Sequence, residues 1–77
     1  MIIMKNVLAK RLRQCRKESK LTQRTAATYA DITEKTYQNY ELSARQPKLE
    51  ILMRIADVYN VSIDYLVGRT DNKSINK

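Results

Sequence analysis

The sequence predicts an all-α domain of five short helices, and three observations predict it. A single Gly and a single Pro occur among 77 residues of which 30% are charged, a composition suited to helices joined by short turns. Apolar residues recur at helical spacing, and no stretch shows the period-two alternation, bounded by Gly or Pro clusters, that strands require. Thr22, Thr33 and Ser62 stand where short helical stretches begin, the place of N-caps.

The first helix is expected from about Asn6 to Ser19. Leu8, Leu12, Cys15 and Ser19 share one face, while Lys10, Arg13, Lys17 and Lys20 share the other. Arg16 lies beside the apolar stripe instead of opposite it. Thr22 caps a second helix through Ala30, and Ala26, Ala27 and Ala30 are small enough for close packing. Asp31 tolerates the left-handed backbone of a tight turn. Thr33 then caps a third helix, about Glu34 to Leu42. Two short helices joined by so brief a turn form a helix-turn-helix, here about residues 22–41. Pro47 suits the first turn of a fourth helix, Leu49 to Tyr59, whose polar strip is only Glu50, Arg54 and Asp57. So wide an apolar arc belongs either to a central helix or to one that also meets a second subunit. Asn60 closes it in the left-handed conformation, Ser62 caps a fifth helix from Ile63 to Val67, and Gly68 ends it. Residues 1–69 are thus expected as one domain, and 70–77 as a polar, frayed tail.

Bulk properties restrict the function. The chain has no His and one Cys, so neither a disulfide nor the usual zinc spacings can form, and no metal or cofactor is expected. A lone thiol fits a reducing cytoplasmic setting. The apolar run Met1–Met4 is far too short for a membrane helix. Without His or clustered carboxylates little remains for acid–base or nucleophilic work, so no enzyme is expected. The formal net charge is +7, and all of the excess lies in residues 1–24, where eight cations face Glu18 alone. Such a segment suits a polyanion such as nucleic acid, or is a helix face kept basic for solubility.

The ordered set Leu12-Arg13-Gln14-Cys15-Arg16-Lys17, Leu21-Thr22-Gln23, Ala27, Ile32-Thr33, Thr36-Tyr37, Tyr40-Glu41, Pro47, Leu49-Glu50, Ile55-Ala56 and Val61 to Thr70 resembles the phage-repressor and Cro-type (XRE-type) helix-turn-helix family over about Val7 to Thr70. The resemblance implies a lambda-repressor-like fold and a sequence-specific, cytoplasmic DNA-binding regulator, a repressor acting as a homodimer on a pseudo-palindromic operator. In such proteins the motif's second helix lies in the major groove with its N-terminal residues at base edges. Those positions are Thr33, Glu34 and Lys35, with Asn39 one turn on. Lys35 suits guanine O6 or N7, Asn39 adenine, and Glu34 cytosine N4.

By resemblance Gln23 meets a phosphate at the start of the motif, helped by the general affinity of helix N-termini for anions. Thr22, Arg24, Gln38, Arg45 and Lys48 are expected as further phosphate contacts, which position without reading sequence. Arg16 and Glu41 match a pair that bridges the first helix to the end of the recognition helix in some members, which accounts for an Arg at the edge of an apolar stripe. The chain departs from the pattern at Asp31, where Gly is common, at Ala26, where a larger apolar residue is common, and at Leu42-Ser43-Ala44-Arg45, where Ala44 removes an expected cation. Tyr40, Tyr59 and Tyr65 fall on packing positions, whereas Tyr29 and Tyr37 are open to the backbone or a neighbour. Val58, Tyr59, Ile63 and Leu66 are the expected surplus apolar surface for dimerisation. The alternative reading is an antitoxin-like module of the same fold whose main partner is another protein.

Overall fold

The computed structural model describes residues 5–74; residues 1–4 and 75–77, parts of the expected domain and tail, lie outside the described residues. Five helices follow one another: α1 Lys5–Glu18, α2 Gln23–Tyr29, α3 Glu34–Glu41, α4 Leu49–Tyr59 and α5 Ile63–Leu66. Among the described residues there is no strand. Among the described residues no helix is long and apolar enough to cross a membrane. Leu8, Leu12 and Cys15 are buried along one face of α1, which packs against α3 and α5. Burial pushes the Cys15 thiol up, so it stays a neutral core side chain.

Local chemistry sets the helix starts. The hydroxyls of Thr22, Thr33 and Ser62 accept from the backbone N–H of Thr25, Thr36 and Tyr65, at 3.0, 3.1 and 2.9 Å. Pro47 lies before the first turn it was expected to occupy: Lys48 is the N-cap of α4 and makes no side-chain cap, while Pro47 is buried one residue earlier. The helix ends are made by left-handed residues, Lys20, Asp31, Ser43 and Asn60 having φ between 54° and 60°. Three of these carry short polar side chains. Lys20 does not.

The core is one cluster to which every helix contributes. Ala26, Ala27 and Ala30 are buried, so their small size brings α2 close to α3 and α4. Tyr37, Tyr40, Tyr59 and Tyr65 are buried and Tyr29 is exposed. Tyr37, which sequence left open to the backbone or a neighbour, is the largest fully buried side chain among the described residues, and its hydroxyl bonds that of Tyr59. Tyr59 and Leu66 close the core and are not surplus surface. The exposed apolar residues of α4 are Leu49 and Met53, while Val58 of α4 and Ile63 of α5 are half-buried. The helix is therefore central, and one edge of it faces outward.

The tail is not frayed as far as Lys73. The Arg11 guanidinium bonds the carbonyls of Tyr65 and Thr70, the latter at 2.7 Å, and the Asp71 carboxylate at 2.8 Å. The Lys73 carbonyl accepts from the Ser62 N–H at 3.0 Å. Before this strap the chain turns at Gly68, whose φ is +88° and where a Cβ would stand 3.0 Å from Val7 Cγ1. Gly68→Ala combines a conformation costly for an L-residue with that close approach, so it should destabilise by about 1–2 kcal/mol, read as a lower urea midpoint.

Candidate nucleic-acid interface

The end of α3 is fixed from α1 and α2. Arg16 Nε donates to Glu41 Oε2 at 2.8 Å and Arg16 Nη2 to Oε1 at 3.2 Å, a two-pronged pair from α1 to the last residue of α3. Gln23 Nε2 adds a bond to Oε1 at 3.1 Å from the first residue of α2. Glu41 is only 2% exposed. Burial alone would push its carboxyl up; hydrogen bonds from Arg16, Tyr37 and Gln23 and the Arg16 charge outweigh that and hold it below the ordinary glutamate value. On the same account the Arg16 guanidinium is held above its ordinary value, chiefly by its bond to Glu41. Behind the carboxylate, burial pushes the Tyr59 phenol up to about 12 and that of Tyr37 further still, so both remain neutral donors.

Two more arginines hold backbone ends. Arg13 Nη1 donates to the Glu41 carbonyl, satisfying an acceptor at the C-terminus of α3, where a cation also suits the helix dipole. Arg54 Nε of α4 donates to the Ala30 carbonyl at 2.8 Å, holding the end of α2 just before the turn. Sequence reasoning missed both. Each read as a solvated cation, and the one available signal was the narrowness of the polar strip on which Arg54 sits.

With α3 so held, its outward residues take defined places. Thr33 is exposed, but its hydroxyl caps α3 and also lies 2.8 Å from that of Thr36. Glu34 is half-buried, and its Oε1 meets Arg24 Nε at 3.5 Å across the motif. Lys35 is exposed and pairs with no acid among the described residues. Asn39 and Gln38 are half-buried, and the Asn39 carbonyl receives the N–H of Ala44 and Arg45 at 2.9 and 3.3 Å, shaping the loop after α3. Arg45 and Lys48 are exposed on that loop, and Thr22 and Arg24 are exposed at the start of α2. Gln23 differs from the others in that its side chain turns inward to Glu41. Among the described residues no three His, Cys, Asp or Glu side chains come together as a metal site would need.

A capped α2, a left-handed turn at Asp31 and a clamped α3 with a polar outer face make the helix-turn-helix arrangement. The family model described as "Helix-turn-helix" matches residues 12–66, most of the chain. The chain belongs to the helix-turn-helix family, of the XRE type. Among curated members of Bacillus subtilis (strain 168), it is 36% identical over 69 residues to the uncharacterized HTH-type transcriptional regulator YqaE, covering 90% of this chain and 60% of that protein. It is 42% identical over 62 residues to the uncharacterized HTH-type transcriptional regulator YobD, covering 80% and 55%. It is 35% identical over 80 residues to the HTH-type transcriptional regulator ImmR, covering 91% and 63%. This helix-turn-helix chain thus spans about three-fifths of the length of the relatives it matches. No solved structure matches it significantly.

Proposed function

We propose that the chain is a sequence-specific DNA-binding transcriptional regulator, a cytoplasmic repressor without enzymatic activity, that reads the major groove with α3. The observation that carries this reading is the pairing of a rigidly clamped α3 with an exposed Lys35 that no acid among the described residues neutralises. Fixing the scaffold before binding lowers the ordering cost of placing side chains at base edges. Lys35 donates to guanine and Asn39 pairs adenine. Glu34 enters the groove with its charge offset by Arg24 and accepts from cytosine, and Thr33 adds contact from the cap. Thr22, Arg24, Gln38, Arg45 and Lys48 take phosphates, whereas Gln23, its side chain held by Glu41, offers its backbone N–H. Named relatives are transcriptional regulators, which supports the regulatory role.

The protein acts as a homodimer on a pseudo-palindromic operator, with half-sites about one helical turn apart or a multiple of it. Exposed Leu49 and Met53 on α4 support self-association. Selection of bound duplexes from a random pool tests all of this. Wild type should recover a symmetric site, and Lys35→Ala and Asn39→Ala should each relax it at particular base pairs, by about 1–3 kcal/mol of discrimination. Recovery of no preferred sequence would sink direct readout and favour the reading in which another protein is the main partner. An asymmetric single half-site would sink the dimer.

A further inference from the structure

Three cations of α1 have internal work. Arg11 holds the tail, Arg13 the Glu41 carbonyl and Arg16 the Glu41 carboxylate. Lys10, Lys17 and Lys20 are exposed and pair with no acid among the described residues. Glu18, the one acid of this region, is taken by Lys73 at 2.8 Å. The charge left open at the C-terminal end of α1 therefore belongs to Lys17 and Lys20. In sequence it lies just before Thr22 and Arg24, which the proposed function places on the DNA backbone.

Lys20 also occupies an unfavourable backbone position. α1 ends with the Leu21 N–H on the Arg16 carbonyl and the Lys20 N–H on the Lys17 carbonyl, both at 3.1 Å. These two bonds define a helix end whose closing residue is left-handed and usually Gly. Lys20 has φ 58° there. Asp31 and Asn60 carry short polar side chains that ease this conformation, and lysine has none. A side chain that weakens the fold at its own position, beside the motif in sequence and with no partner among the described residues, calls for a role outside the folded chain.

We infer that Lys20, with Lys17 one turn behind it, contacts backbone phosphates of the bound duplex and extends the footprint from the helix-turn-helix onto the end of α1. This deepens the DNA-binding reading and rests on it. A lysine contacts phosphate as a point charge, so the interaction adds affinity at every sequence and discriminates none. The excess charge of residues 1–24 then has two functions: the α1 arginines clamp the fold, and the open lysines at the motif end hold DNA together with Arg24.

Lys20→Gly separates the two effects, because glycine removes both the strain and the charge. The variant should unfold at a higher urea midpoint than wild type. It should also bind the selected operator and an unrelated duplex more weakly, by the same factor, about five- to tenfold at 0.1 M salt. The slope of log affinity against log salt should fall by about 1.8, the value for two phosphate contacts, one from each protomer of the dimer. Lys20→Asn, which keeps a residue suited to the left-handed turn, should lose the same slope. Lys10→Ala, ten residues away towards the other end of α1, should leave the slope unchanged. Unaltered slope and affinity in Lys20→Gly overturn the proposal, as does a lower midpoint with unaltered binding, which would make Lys20 a stabiliser of the helix end. If wild type shows salt-sensitive binding without sequence preference and Lys20→Gly still loses slope, the specific reading fails and this contact stands. If wild type binds no duplex, both fail.

Discussion

Glu41→Ala should destabilise the domain by about 3 kcal/mol, lowering its melting temperature by about 15 °C. The carboxylate is 2% exposed, and its removal strands the Arg16 guanidinium, withdraws an acceptor from Gln23, and loosens α1 from the end of α3. The Arg16 side chain is 18% exposed and can recover part of its hydration, which places the effect at the lower end for a broken buried pair. The reverse substitution should be worse. Arg16→Ala leaves the negative charge in the more buried position, at about 4 kcal/mol, a large fraction of the stability of so small a domain. Glu41→Gln keeps an amide oxygen as acceptor and should fall between these variants and wild type. Equal urea midpoints for Glu41→Ala and wild type would reduce the bridge to a surface pair.

The same carboxylate gives the domain an acid limit. The Glu41 carboxyl is held below its unfolded value, so the folded state binds a proton less readily than the unfolded chain. Its contribution is complete above the ordinary glutamate value and declines as pH falls through that value towards the folded one. Glu41→Gln should be less stable than wild type at neutral pH, with the gap closing in this acid window. A constant gap across it would remove Glu41 as the cause.

What the sequence revealed was local. Thr22, Thr33 and Ser62 cap within three residues, and Asp31 and Asn60 take the left-handed turns suited to their side chains, so helix order and limits were legible to within about one residue of α1, α3 and α5. Arg16 and Glu41 were paired through family resemblance, because periodicity alone marks an Arg at a stripe edge without naming its partner. What remained hidden was long-range. Arg11, Arg13 and Arg54 bond carbonyls 54, 28 and 24 residues away, and a backbone acceptor leaves no trace in side-chain pattern. Leu66 read as spare surface, and Tyr59 as both a packing position and spare surface, because the wheel of one helix cannot show what packs against it. Lys20 was hidden for the opposite reason, since lysine is a poor indicator of a left-handed turn and the true signal was the end of the apolar stripe at Ser19.

Arg11→Ala should destabilise the domain by about 2–3 kcal/mol, though sequence gives Arg11 no role beyond basic charge. Two of its contacts are charge-assisted bonds to the partly buried Tyr65 and Thr70 carbonyls, each stronger than a neutral hydrogen bond, and its guanidinium lies 4.2 Å from the Tyr65 ring centroid. Some loss is cushioned, because the Tyr65 carbonyl also receives the Gly68 N–H at 3.3 Å. Asp71 contributes little by comparison. Its side chain is fully exposed, so Asp71→Ala should leave the midpoint near that of wild type. Arg11→Lys should not rescue, since one ammonium cannot reproduce a planar fork that reaches two carbonyls and a carboxylate. Amide exchange locates the damage. The Ser62 N–H is held by the Lys73 carbonyl, so release of the strap should raise its exchange more than that of amides within α3. Unchanged Ser62 protection together with an unchanged midpoint would mean that the tail holds its place without Arg11, leaving the lysine pair to Glu18 and the backbone bond to Ser62 as its anchors.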